Sequence, residues 1–174
     1  MYAFRKPFTA AAYAGLEVWG VQFKIALVMA QVAGYALSKF MGIRVIAAVG
    51  AQQRAVLLLA VAGFAEMALL GFALTPPPYN LVWMFLNGLP LGMAWGLVFG
   101  YLEGRRVTEV LAAVLCVNFI FSSGFVKTIG KWLLNTQGVP DMWMPFVAGL
   151  LFLPPLLGCI WLLEHLPMPD ARDR

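Results

Sequence analysis

Apolar residues run in long blocks along this chain, and short clusters rich in Gly, Pro or charged residues interrupt them at five places, near 15–20, 50–54, 75–80, 103–109 and 135–141. Five of the blocks approach or exceed the roughly 20 residues that a helix needs to cross hydrocarbon. The pattern predicts helices at about 21–45, 55–74, 81–102, 107–134 and 142–163. The stretch before Gly15 is too short to span and reads as a shortened first helix. The expected fold is all-α, a polytopic membrane helix bundle in one domain over 1–166, followed by a polar tail at 167–174.

The polar positions inside the blocks are few and fall on defined faces. In the second helix Lys24, Gln31, Tyr35 and Ser38 stand at i, i+7, i+11 and i+14, on one side of the helix. A polar stripe against lipid is costly, so it should face other helices or a water-filled path. The alternative is that Lys24 reaches out to the interface and Gln31 makes one bond between helices. The third helix carries Glu66 near its middle. A carboxylate there costs several kcal/mol unless paired or protonated, which leaves a proton carrier, half of a buried ion pair, or a protonated acid bonded to a neighbouring helix. In the fourth helix Gly88, Gly92, Gly96, Gly100 and Gly104 recur at every fourth residue. Such a ladder lets a second helix approach backbone to backbone at a right-handed crossing. Pro90 should bend this helix, and Asn87 is a candidate pore residue.

The fifth helix is longer than the bilayer requires and should tilt or project. Asn118 and Ser122 share one of its faces, and Ser123, Lys127 and Lys131 another. Lys131 with Trp132 reads as an interfacial anchor. Lys127, one turn deeper, either reaches the interface as well or turns inward towards Arg5 or Glu66. Pro154-Pro155 should kink or break the sixth helix. In the opening segment Tyr2, Arg5, Thr9 and Tyr13 share one helical face, and Phe4, Phe8, Ala11 and Ala12 cover another. Either this segment is an amphipathic anchor with Arg5 and Lys6 at the lipid head groups, or it is the second half of a helix inside the bundle.

Composition agrees with the pattern. The 174 residues are 62% hydrophobic and 11% charged, with a mean hydropathy of +0.83, whereas soluble domains are about a quarter charged. The formal charge of +4 would suit a nucleic-acid partner, but the basic residues flank apolar runs, as anchoring requires, and none is expected. Lys39, Arg44, Arg54, Arg105, Arg106, Arg172 and Arg174 fall on one side, which the positive-inside rule makes cytoplasmic, together with the C-terminus. Cys116 and Cys159 sit in apolar runs and imply no disulfide. The opening residues lack the ordered regions of a cleavable signal peptide. His165 is the single histidine, and no metal-ligand spacing, nucleophile–base pair or phosphate-cradling loop occurs. The expectation is a non-enzyme without cofactor or metal.

Three groups of residues carry a resemblance. The run Gly34-Tyr-Ala-Leu-Ser38-Lys39-Phe40-Met41-Gly42-Ile43-Arg44 resembles the signature between the second and third helices of the major facilitator superfamily of transporters, with Ser38 where that signature usually has Asp. Tyr2-x-x-Arg5-Lys6-x-Phe8, and Ser38-Lys39-Phe40 following Gly34-Tyr35, look like motifs of its organophosphate:phosphate antiporters, with Pro7 at a position usually polar. The fourth-helix glycines, Leu102 to Arg106 and Trp143-Met-Pro145 look like an uncharacterised bacterial branch. The resemblance implies the N-terminal six-helix half of a transporter in a bacterial inner membrane. It implies Arg5 as the residue that holds an anionic solute, an organophosphate being the case the motif suggests. Tyr2, Thr9, Gln31, Tyr35 and Lys127 would surround that solute, with Glu66 for coupling or an ion pair. Gly34, Ser38, Lys39, Gly42 and Arg44 would act in gating. The expected partners are the lipid bilayer, a small anion, and a second half or another copy of the chain. The competing reading is a non-transporting scaffold that docks through the fourth-helix glycine ladder.

Overall fold

The computed structural model of the chain describes residues 2–48, 50, 53–102 and 108–165, with the side chains of 43–48 and 102 outside that description. Among the described residues there are five long helices: α1 (Phe23–Ala48), α2 (Arg54–Leu74), α3 (Leu81–Leu102), α4 (Thr108–Asn135) and α5 (Met144–Glu164). Each is long and apolar enough to cross a membrane, and the protein is an integral membrane helix bundle. α4 runs 28 residues, about 42 Å at the helical rise, which exceeds the roughly 30 Å hydrocarbon core.

Before α1 the chain departs from the expected helix over 1–15. Two 3₁₀ turns, Tyr2–Phe4 and Pro7–Ala10, lead into an extended stretch. Pro7 has no N–H to give to the preceding turn and its ring collides with a continuing α-helix, so the first turn ends before it. A two-residue hairpin follows, β1 (Glu17–Val18) against β2 (Val21–Gln22), with Val18 opposite Val21. Trp19 and Gly20 both take positive φ, 54° and 73°, the geometry of the tight turns that match strand twist.

This opening segment is internal. Phe4 and Phe8 are each 1% exposed, and the segment packs against α2, α4 and α5. A surface anchor would show its apolar face to lipid head groups, so the interior placement is the one adopted. Gly130 of α4 lies close against this segment: a Cβ there would come within 3.1 Å of Ala10 Cβ and 3.3 Å of Met144 Sδ, so a larger residue needs these neighbours to give by a few tenths of an ångström.

α1 and α3 run parallel and in close contact. A Cβ on Gly34 would strike the Phe85 carbonyl, and one on Gly88 would strike the Gln31 carbonyl. A Cβ on Gly92 would come within 2.9 Å of the Tyr35 carbonyl and 2.6 Å of Ser38 Oγ. Two of the five ladder glycines, Gly88 and Gly92, therefore meet a helix of the same chain. Gly100 serves differently: it leaves space for the Arg54 guanidinium, which donates to the Gly100 carbonyl. Gly104 lies outside the described residues. α2 packs on α3 and then on α5, where Gly149 receives the Glu66 carboxylate. α5 stays helical through Pro154 and Pro155, and α3 through Pro90, so neither proline site breaks its helix.

The core is layered along the bundle. At the hairpin end Phe8, Tyr13, Phe23, Phe72, Met84 and Met144 close the structure in one cluster. A middle cluster joins Phe4 to Ala65, Leu69, Leu91 and Val126. At the other end, called here the basic side after its Lys and Arg residues, the cluster involves α2, α3 and α5, with Leu58, Leu97 and Ile160 among its members. α4 takes no part in that last layer, and the bundle opens there.

Candidate functional site

A cavity of about 480 Å³ occupies the gap, within the size range of small-molecule sites. Its wall runs from Phe152 to Leu163 on α5 and from Leu115 to Val126 on α4, about 16 Å of helix in each case. Leu58 and Val98 mark its basic-side end, and Tyr2 to Arg5 cap it at mid-bundle. It narrows towards the hairpin end, where the aromatic layer is packed shut.

Among the described residues Arg5 is the one charged residue in this wall. Its guanidinium lies over the Tyr35 ring, with Cζ 4.1 Å from the centroid, the distance range of a cation–π contact. Among the described residues no carboxylate pairs with it. Its backbone is held from behind: Gln31 Nε2 donates to the Arg5 carbonyl at 3.2 Å and to Asn87 Oδ1 at 2.8 Å. Asn87 Nδ2 in turn donates to the Ala65 carbonyl at 3.0 Å. Gln31 and Asn87 are both buried, so this chain of bonds ties the Arg5 segment to α1, α3 and α2 without touching solvent. Buried amides left unpaired are costly, and each here is paired. Lys24 adds a second tie, donating to the Ala11 carbonyl at 2.8 Å. Near the hairpin, Asp141 accepts the Tyr13 backbone N–H at 2.9 Å.

The residues singled out in the sequence separate into three positions. Tyr2, Arg5 and Tyr35 line the cavity, as do Asn118 and Ser122 of α4. Gln31, Ser38 and Gly34 lie behind it in the α1–α3 contact, and Gly42 is buried further along α1. Thr9 and Lys127 are outside the cavity wall. Thr9 Oγ1 donates to its own segment, at the Lys6 carbonyl, 2.7 Å away. Lys127 is exposed and lies within electrostatic reach of Lys6, which also feels Arg5. Lys39 Nζ is 5.1 Å from the Tyr35 centroid, so two cations approach that ring. The side chain of Arg44 lies outside the described residues.

Glu66 stands apart from all of these. It is 6% exposed, and among the described residues neither carboxylate oxygen has a hydrogen-bond partner. Lys127 does not reach it, so the ion pair considered from the sequence does not form. Asn87, a candidate pore residue, is instead the link between Gln31 and α2. The aromatic walls supplied by Phe119, Phe125 and Phe152 had no signal in the sequence, because a Phe in an apolar helix looks alike whether it meets lipid, core or cavity. Ring contacts arrange them, with Tyr2 5.4 Å from Phe119 and Phe125 edge-on to Phe152 at 6.1 Å.

The arrangement can hold an anion. One guanidinium sits at the inner end of a largely apolar cavity, without a carboxylate partner among the described residues and fixed through its backbone. No curated protein and no solved structure matches the chain. A family model described as a family of unknown function, DUF5690, matches residues 7–174, and the chain belongs to that family.

Proposed function

We propose that this protein binds and transports a small anionic solute as the N-terminal half of a facilitator-type secondary transporter, with Arg5 holding the anionic group. The observation that supports this reading is the Arg5 guanidinium in the cavity wall, which no carboxylate among the described residues pairs with. An unpaired arginine at membrane depth is costly, and such residues mark substrate or ion paths. Its planar fork matches a carboxylate or phosphate through two parallel bonds. The Tyr35 ring beneath fixes the fork, and the hydroxyls of Tyr2 and Ser122 stand in the same wall.

In this reading the protein sits in a bacterial inner membrane with its basic side and C-terminus in the cytoplasm. The cavity then faces the cytoplasm. A solute would rise along α4 and α5 to Arg5 and displace water from the guanidinium. Alternating access would come from rocking this bundle against a second six-helix half, or another copy of the chain, that completes the cavity. The Gln31–Asn87–Ala65 bonds would pass a shift at Arg5 to α2 and α3. Glu66 is not in the cavity wall, so a proton carried there would couple through the α2–α5 contact rather than by touching the solute. Docking through the glycine ladder has less support, since α1 already covers Gly88 and Gly92.

Thermal unfolding of the purified protein tests the reading. A ligand bound only by the folded state raises stability by about 2.7 kcal/mol at a hundredfold excess over Kd. Phosphate, glycerol 3-phosphate and carboxylates are scanned against chloride at equal ionic strength. A saturable rise with one class of anion supports it, and no rise with any of them refutes it.

A further inference from the structure

The wall of the cavity says more about its occupant than its charge does. Around Arg5 the polar side chains are Tyr2, Tyr35, Asn118 and Ser122, and most of the remaining wall is aliphatic or aromatic. A sugar phosphate carries hydroxyls over its whole surface, and burying them against Leu, Val and Phe leaves them unbonded at a cost for each. The charge count points the same way. Among the described residues Arg5 is the single cation in the wall, with Lys6, Lys39 and Lys127 outside it and Lys39 Nζ 5.1 Å from the Tyr35 centroid, so one negative charge is matched at the wall itself. Resting on the anion-binding reading above, we infer that the ligand is a monoanionic organic acid with an apolar body, of the medium-chain carboxylate kind. Its carboxylate lies on the Arg5 fork beside Tyr2 and Tyr35, and its body extends along Phe119, Phe152 and Leu156 towards the basic side.

The shape of the opening fits such a body. α4 is largely exposed along Val110, Val114, Val117 and Phe121, and few of its residues approach α3. Those four residues lie outside the cavity, whose α4 wall is Leu115, Asn118, Phe119, Ser122, Phe125 and Val126; its basic-side end, at Leu115 and Phe119, is apolar and suits hydrocarbon better than a hydrated sugar.

Cys159 lines the cavity and is exposed, while Cys116 is exposed but outside the wall. This pair supplies the test. In Cys116→Ser protein in phosphatidylcholine nanodiscs, the rate of maleimide labelling of Cys159 is followed against acetate, hexanoate, octanoate and decanoate. Decanol, inorganic phosphate and glycerol 3-phosphate serve as comparisons. Each buried methylene is worth about a fourfold gain in affinity, so the protecting concentration should fall by about that factor per carbon. Decanol should protect far more weakly than decanoate, and Arg5→Gln should remove the difference between them. Protection by phosphate or glycerol 3-phosphate, with no gain along the carboxylate series, overturns the inference and leaves the anion site standing. Equal protection by decanol and decanoate in wild-type protein, with none by the short anions, overturns both. Discs containing phosphatidylglycerol form a further arm: if that lipid protects Cys159 and free acids do not, the site holds a lipid head group and the inference fails. The decanoate–decanol comparison needs no Arg5 variant, so it decides even where that variant does not fold.

Discussion

Replacing Gly88 with Ala should loosen the protein at its centre, and the structure sets the size of the effect. The added Cβ would lie 2.9 Å from the Tyr35 nitrogen, where ordinary contact begins at 3.4 Å, and would also run into the Gln31 carbonyl. Both obstacles are backbone, so no rotamer change relieves them, and α1 must retreat by at least about half an ångström. Overpacking of this kind costs about 1–3 kcal/mol, and with rigid backbone on both sides the upper part of that range applies. The same retreat stretches the 2.8 Å bond from Gln31 to Asn87 towards the 3.2 Å limit of good geometry. The assay is unfolding of detergent-solubilised protein by dodecyl sulfate, followed by circular dichroism. Gly63→Ala serves as the reference, because nothing lies within 4 Å of a Cβ there. Gly88→Ala should lose about 2–3 kcal/mol against that reference, and Gly34→Ala a similar amount, since its Cβ meets the Phe85 carbonyl. The double variant should lose less than the sum, because one outward shift relieves both clashes. A Gly88→Ala protein within about 0.5 kcal/mol of Gly63→Ala would refute the close α1–α3 packing.

Other substitutions probe neighbouring contacts. Asn87→Leu removes one acceptor of the Gln31 amide, which keeps the Arg5 carbonyl, and the side-chain donor to the Ala65 carbonyl, and should cost about 1–3 kcal/mol. Adding Gln31→Leu should recover only part of that loss in the same unfolding assay, because it removes the amide hydrogen left without an acceptor but also the donor to the Arg5 carbonyl. Gly149→Ala drives a Cβ into the Glu66 carboxylate and should lower the unfolding midpoint. Glu66→Ala in the same chain should restore it, and a Gly149→Ala defect unchanged by Glu66→Ala would argue against that contact.

The bundle could be read from the sequence because its signals are long. The helix expected at 81–102 is α3 without change, and those expected at 55–74 and 107–134 are each displaced by one residue at one or both ends. Blocks of this length are set by the bilayer, and no tertiary contact is needed to recognise them. The stripe Lys24–Gln31–Tyr35–Ser38 was legible for the same reason, since its polarity has to turn away from lipid. The opening segment was not. Helical spacing of Tyr2, Arg5, Thr9 and Tyr13 suggested a helix, but Pro7 divides it and Tyr13 adopts a φ of 50°. Nor could the ladder reveal that Gly88 and Gly92 meet α1 while Gly100 receives Arg54, because a period of four residues names a face and not its partner. Lys127 shows the converse. A lysine one turn inside a helix end could point either way, and α4 carries it outside the cavity wall, beyond reach of Glu66.

The most direct measurement is equilibrium binding of the anion that best stabilises the protein, compared among wild type, Arg5→Lys and Arg5→Gln. Each sample is first checked for the wild-type circular dichroism spectrum. Arg5→Lys keeps the charge but loses the planar fork, so affinity should fall at least about tenfold, the equivalent of one lost bond to a charged group. Arg5→Gln should abolish saturable binding. Folded Arg5→Gln protein that binds the anion as tightly as wild type would contradict the assignment of Arg5 as the anion-holding residue.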